Sequence, residues 1–233
     1  MERENVCEDG YSMPEGEQFF THIDTTADLY IYHPIYNYID LVCAEMPSPN
    51  DSNVIFCAAA SFTGKLLDHF EHTNILGPHV SSGVRYNGYD YNQNYGLFAA
   101  TESTWFFATL PNDSLIDSVA AQGGMAFTQY WVIRDSVIYM PQVQKKDCNN
   151  IYRVIADLDG NLAIVESRRP VPYADFTRWL HTLPIRNALY LDMGAGWNYS
   201  FCRDQNDSIH IIHPHTHNFC TNWLTFYKSE VRN

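Results

Sequence analysis

Positive charge is scarce in this sequence: 14 Lys and Arg stand against 27 Asp and Glu, a formal net charge of −13 over 233 residues. A surface of that sign repels a phosphate backbone and offers no basic stripe, so nucleic acid is not an expected partner. The same field opposes anionic membranes, and an anionic substrate needs a local Arg cluster to overcome it. There is no run of about 18 apolar residues to span a bilayer, so no membrane insertion is expected. The opening Met1-Glu2-Arg3-Glu4-Asn5 lacks the charged-then-apolar pattern of a signal peptide. Two compartments are therefore expected: the cytoplasm, or an extracytoplasmic place (periplasm or cell surface) if a leader has been removed. Cysteines Cys7, Cys43, Cys57, Cys148, Cys202 and Cys220 contain no CxxC pair, which argues against a zinc knuckle or redox motif. They are too sparse to scaffold the chain; Cys202 and Cys220 are the best candidates for a disulfide, and otherwise the cysteines are small buried hydrophobes. No P-loop, dinucleotide fingerprint or Gly-x-Ser-x-Gly elbow occurs, and no cofactor is expected.

What is present is apolar and aromatic: 45% hydrophobic and 18% charged residues, with 16 Tyr, 13 Phe and 5 Trp. That composition is globular and leans towards strands. A domain near this size buries roughly 70% of its unfolded surface, enough for a sizeable core. Residues 1–28 are rich in Glu, Asp and Gly without periodicity and read as an N-terminal arm whose order depends on docking; 29–233 read as one domain. Leu29–Tyr32, Tyr38–Ala44 and Val54–Ala60 read as strands, the first bounded by Pro34 and the last buried on both faces. Short runs around Gly83–Tyr89, Gly96–Ala100 and Thr104–Ala108 read as hairpins, followed by strands at Phe127–Ile133 and Ser136–Tyr139. Tyr152–Asp157 and Leu162–Glu166 flank an Asp159-Gly160 turn, a further hairpin, and Ala188–Leu191 is a buried strand running into Asp192. Apolar residues at spacings of three and four predict helices over 64–72, 115–121 and 173–183. The expected fold class is α+β: a single domain with a mixed, largely antiparallel sheet and a few short helices packed on it.

Three features carry candidate chemistry. In Leu191-Asp192-Met193-Gly194-Ala195-Gly196-Trp197 a strand delivers a carboxylate into a turn with two glycines, which bares backbone N–H groups and lets a ligand come close. The bland alternative is a tight turn in which Asp192 caps its own backbone. Arg153, on a strand among apolar residues, points either to solvent or inward to an anion that its fork can grip; Arg85 is a second candidate. His210, His213, His215 and His217 crowd one segment, but Pro214 and the neighbouring polar residues suggest an exposed loop, and no metal site is assigned. Trp197 and Tyr199 are placed to stack on a sugar ring.

From about Tyr38 to Tyr227 the chain resembles the phosphodiester glycosidases. The resemblance is carried by Phe56-Cys57-Ala58-Ala59-Ala60-Ser61-Phe62, by Arg153 ahead of Asp159-Gly160, by Asn187 through Gly196, and by Thr221-Asn222-Trp223-Leu224-Thr225-Phe226-Tyr227, similar to the closing strand of a gut-bacterial branch. It departs from the family at Ala58, where many relatives have Asn, and after Asp192, where a Ser is missing. The resemblance implies a hydrolase that cleaves the glycosidic bond of a sugar phosphodiester, with Asp192 and Arg153 catalytic and Gly194, Gly196, Trp197 and Arg85 binding substrate. Arg153 and Asp192 are then expected in one pocket, each needed for turnover and neither for folding. The rival expectations are a catalytically degenerate carbohydrate-binding protein and a structural surface protein. Oligomeric state is left open.

Overall fold

Runs of β-branched and aromatic residues become strands here because alternate side chains then reach a core on each face. The computed structural model describes residues 18–65, 67, 69–139, 149–194, 198–213 and 219–229. In the first half the strands are β1 (Phe20–Thr25), β2 (Leu29–Ile35), β3 (Tyr38–Cys43), β4 (Val54–Ala59), β5 (His79–Ser81), β6 (Val84–Tyr86), β7 (Tyr95–Ala100) and β8 (Trp105–Thr109). The second half adds β9 (Met125–Arg134), β10 (Val137–Ile138), β11 (Arg153–Leu158), β12 (Asn161–Ser167), β13 (Ile185–Leu191), β14 (Ser200–Arg203), β15 (Ile209–His213) and β16 (Asn222–Tyr227). Two helices, α1 (Asp113–Ala121) and α2 (Tyr173–Leu180), interrupt them.

The strands make a large sheet in the order β1-β2-β12-β11-β13-β9-β5-β6, with β7, β8 and β10 attached through β9, and a small sheet in the order β15-β14-β4-β16-β3. The two pack face to face. Ile155, Ile164, Leu189 and Leu191 of the large sheet meet Phe56, Cys202, Leu224 and Phe226 of the small one in a common core. Period-two alternation sends Val154, Ala156, Val165 and Ala188 to the opposite face, where Phe176 and Leu180 of α2 cover them. The architecture is the expected α+β body, and every described strand pairing is antiparallel apart from an isolated parallel bridge at Leu76 and Tyr89.

Several local expectations are corrected. No helix forms among the described residues of 64–72; a short 3-10 turn at His72–Asn74 follows instead. Asn74 ties the chain back on itself: its Oδ1 accepts from Lys65 N at 2.7 Å, its backbone carbonyl accepts from Gly64 N at 2.9 Å, and Thr63 bridges Ile75. An asparagine that bonds neighbouring backbone groups competes with a helix, and Leu67, expected on the buried face, is 43% exposed. Pro34 lies inside β2 rather than ending it, beyond Tyr32, the last residue of β2 that pairs with β12. Within the stretch read as an arm, Phe20–Thr25 is β1, paired along its length with β2; residues 1–17, Cys7 among them, lie outside the described residues, as does Cys148. Cys202 and Cys220 are both free thiols. They cannot pair because they face opposite sides of the small sheet, Cys202 in the core between the sheets and Cys220 in the cluster on the outer face.

Candidate functional site

The strands that carry Arg153 and lead into Asp192 are neighbours in the large sheet. β13 lies between β11 and β9, and its last residue, Leu191, is the ladder partner of Arg153, the first residue of β11. One residue on, Asp192 N donates to Ala60 O at 3.1 Å, stitching the end of β13 to the end of β4 in the other sheet. The Ala60–Phe62 segment is itself pinned. Asn222 brackets Ser61, its Oδ1 accepting from Ser61 N at 2.7 Å and its Nδ2 donating to Ser61 O at 3.1 Å. Ser61 Oγ donates to Thr128 O at 2.7 Å, and Gln129 Nε2 donates to Ala60 O at 3.1 Å. Ser61, Thr128, Gln129 and Asn222 are fully buried, so these bonds replace water the groups would otherwise require.

Asp192 is 7% exposed. Burial pushes its carboxyl up to about 7, with the N–H groups of Gly194 and Met193 pulling weakly the other way. Its Oδ1 accepts from Gly194 N at 3.2 Å, so the aspartate side chain does cap the backbone of its own turn. No ion pair reaches Asp192 among the described residues. An aromatic wall stands beside it. Burial and the Asp192 charge push the Tyr89 phenol up to about 12, and the same two causes raise that of Tyr190. Phe62 meets Tyr130 edge-on at 5.5 Å and lies 5.7 Å from Tyr190, all three half-buried.

Arg153 takes the inward of the two orientations open to it in sequence: it is fully buried between the sheets, and the anion it grips belongs to the protein itself. Its Nε and Nη2 donate to Glu166 Oε2 at 2.7 and 2.5 Å, and Nη2 also donates to Ser200 Oγ at 2.6 Å. The other carboxylate oxygen, Oε1, accepts from His213 Nε2 at 2.8 Å. Burial alone would raise the Glu166 carboxyl, but the Arg153 charge and the His213 hydrogen bond outweigh it and hold the group below the usual carboxylate range. Four strands, β11, β12, β14 and β15, thus contribute one residue each to a bridge between the sheets. Breaking a buried bridge of this kind leaves an uncompensated charge, so loss of Arg153 is expected to cost stability as well, against the expectation that it is dispensable for folding. Among the described residues, Arg153 Nη1 has no hydrogen-bond partner.

The remaining candidates divide. Gly194 is half-buried at the turn; Gly196 and Trp197 lie outside the described residues. Arg85 is committed to α1, where Asp113 and Asp117 each take one of its terminal nitrogens at 2.5 Å. Of the histidine run, His210 pairs with Asp204 at 2.7 Å on the surface and His213 faces inward to Glu166, while His215 and His217 lie outside the described residues. Among the described residues, no group of three or more side chains is arranged to hold a metal. Glu166, Ser200 and Gln129 were not singled out from sequence, His213 was weighed only as a metal ligand, and Asn222 entered only as part of the closing strand. Glu166 had a usable signal, since counting outward from the Asp159-Gly160 turn places it opposite Arg153. A surface cleft of about 520 Å³, lined by Asp135, His181, Leu183 and Arg186, sits at the start of β13, the far end of the strand from Asp192.

No protein-family model matches the chain, and no curated protein matches it in sequence. Solved structures do share its fold. The catalytic domain of zebrafish N-acetylglucosamine-1-phosphodiester alpha-N-acetylglucosaminidase, auto-inhibited by its pro-peptide, aligns with a TM-score of 0.60 and 14% identity over 97% of this chain and 87% of that one. A hypothetical protein from Synechocystis aligns with a TM-score of 0.52 and 8% identity over 90% of this chain and 61% of that one. At these identities the likeness is one of fold.

Proposed function

We propose that this protein hydrolyses the glycosidic bond of a sugar phosphodiester at the Asp192 end of the sandwich. The observation that carries the reading is Asp192 itself: an almost enclosed carboxyl at a strand end, held near neutrality by burial, opening on a glycine turn and flanked by aromatic rings. Structural ion-pair residues have displaced pKa values too, but this one is displaced without a charged partner, which is the pattern of a working acid or base. The zebrafish domain that shares the fold acts, by its name, on an N-acetylglucosamine phosphodiester.

In the reaction the bond between the anomeric carbon and the phosphate oxygen breaks, the electron pair leaves with the phosphate, and water supplies the new hydroxyl. The anomeric carbon passes through an oxocarbenium-like state. Phosphate is already a good leaving group, so it requires charge neutralisation more than a proton, and one carboxylate with one Arg can suffice. Asp192 as carboxylate stabilises the cation or orients the water. Arg153 meets the leaving phosphate through Nη1, the nitrogen that Glu166 and Ser200 leave free. The Gly194 and Gly196 amides and the Trp197 ring place the sugar; Arg85, tied to α1, enters only if that salt bridge opens. No cofactor is called for. One observation favours a second reading, a carbohydrate-binding protein without turnover: Glu166 already neutralises Arg153, and Asp192 already occupies the Gly194 N–H.

Incubation with an N-acetylglucosamine 1-phosphodiester separates the two. Hydrolysis is expected for the native chain and a loss of about a hundredfold to a thousandfold in Asp192→Asn, the scale of losing one preorganised electrostatic group. Binding of the phosphodiester with no sugar released would select the second reading, and equal turnover by native protein and variant would remove Asp192 from the chemistry.

A further inference from the structure

We infer that Glu166 and His213 are positioning residues of this site, locking the Arg153 guanidinium so that Nη1 alone is turned to a phosphate-bearing ligand. The inference rests on the reading above.

A guanidinium is a planar fork with donors on three edges. Here the edge formed by Nε and Nη2 is closed by Glu166 Oε2, at 2.7 and 2.5 Å, and Nη2 is closed again by Ser200 Oγ at 2.6 Å. Planarity then aims Nη1 away from Glu166. β12 borders β11 on one side and β13 on the other, and Leu191 of β13, the ladder partner of Arg153, leads into Asp192. Glu166 cannot swing to capture Nη1 as well, because His213 holds its second oxygen at 2.8 Å. Every other fully buried side-chain polar atom of this bridge is partnered, and buried donors without partners are rare in folded proteins. A fully buried, cationic N–H left open within such a network therefore points to an acceptor that the protein does not supply.

A second observation lies one hydroxyl away. Ser200 Oγ, which accepts from Arg153, donates to Asn198 O at 3.4 Å, and the side-chain oxygen of that same Asn198 is the other buried polar atom here that lacks a partner among the described residues. Asn198 is also the first described residue after the turn that follows Asp192. A donor and an acceptor left open together match a ligand that carries both complements: an anionic phosphate oxygen for Arg153 and a hydroxyl for Asn198. A sugar phosphate carries both kinds of group. A purely structural bridge has use for neither opening.

The test compares the affinity of the full chain for N-acetylglucosamine 1-phosphate and for methyl N-acetylglucosaminide, a probe with the sugar but not the phosphate. The native protein is expected to prefer the phosphate. Glu166→Gln and His213→Gln are expected to lose at least tenfold of that preference while binding of the methyl glycoside stays within twofold. His213 is the safer variant for folding, since its side chain is 13% exposed and Glu166→Gln disturbs a buried charge. Equal weakening for both probes, or an unchanged preference in His213→Gln with a native melting temperature, overturns the positioning role. A native protein that prefers the phosphate but releases no sugar from a phosphodiester keeps the inference and overturns the hydrolase reading. A native protein that binds neither probe overturns both.

Discussion

Asp192 lowers the stability of the protein that carries it, and the amount follows from its surroundings. Its carboxyl moves from an ordinary 3.8 to about 7 on folding because the buried site disfavours the charged form. Below pH 3.8 the group is protonated whether the chain is folded or not, and contributes nothing. As pH rises from there, the unfolded chain ionises while the folded one keeps its proton, so the folded state holds more protons and stability falls with pH. The fall continues to about pH 7 and then levels off. A displacement of about three units at about 1.4 kcal/mol each sets the full loss at about 4 kcal/mol, an order-of-magnitude figure. Asp192→Asn removes the ionisation but keeps an oxygen for the Gly194 N–H, so the turn survives. Urea unfolding of both proteins between pH 4 and pH 8.5 is expected to show the variant gaining on the native chain by about 1 kcal/mol per unit up to neutrality, then holding that lead. The same substitution is expected to lower turnover by about a hundredfold to a thousandfold, the trade expected of a charge kept for function rather than stability. A variant whose stability parallels the native protein at every pH, or falls below it above pH 7, refutes the reasoning.

Arg153→Met strands Glu166 with His213 alone and is expected to cost about 3–5 kcal/mol, whereas Arg153→Met combined with Glu166→Leu recovers most of it because no uncompensated charge remains; chemical denaturation of both variants checks the order, and a double variant no more stable than the single one contradicts it. Treatment with a chelator is expected to leave the melting temperature and any turnover unchanged, and a loss restored by Zn would promote the histidine cluster of residues 210–217 to a metal site.

The local features were legible because local bonds make them. Asp159 and Gly160 both adopt positive φ, 52° and 76°, the conformation that a tight hairpin demands and that Gly supplies without strain. That turn sets the register of β11 against β12 without help from the rest of the chain. The spacing of Phe176 and Leu180 likewise announces α2, and the apolar run into Asp192 announces a strand end. The same method fails at 64–72, where the periodicity is helical and the Asn74 side chain intervenes from beyond the window.

What the sequence determined by itself is many of the strands, the hairpin of β11 with β12, and the placing of a carboxylate before a glycine turn. Only the tertiary structure decided which of those side chains meet. Arg153 and Glu166 are opposite each other in any version of the hairpin, but they are buried because β14 and β15, which pattern alone did not disclose, lay Ser200 and His213 across them. Cys202 and Cys220 are close in sequence and held apart by the sheet that carries one on each face. Asp192 would be an ordinary surface acid at the end of a lone strand; it stays protonated to about pH 7 because β4, far away in the chain, brings Ala60 against it and closes it off from water. Hydrogen bonds between near neighbours can be read along a sequence, whereas the cost of ionising a group depends on how much water the whole fold removes from around it.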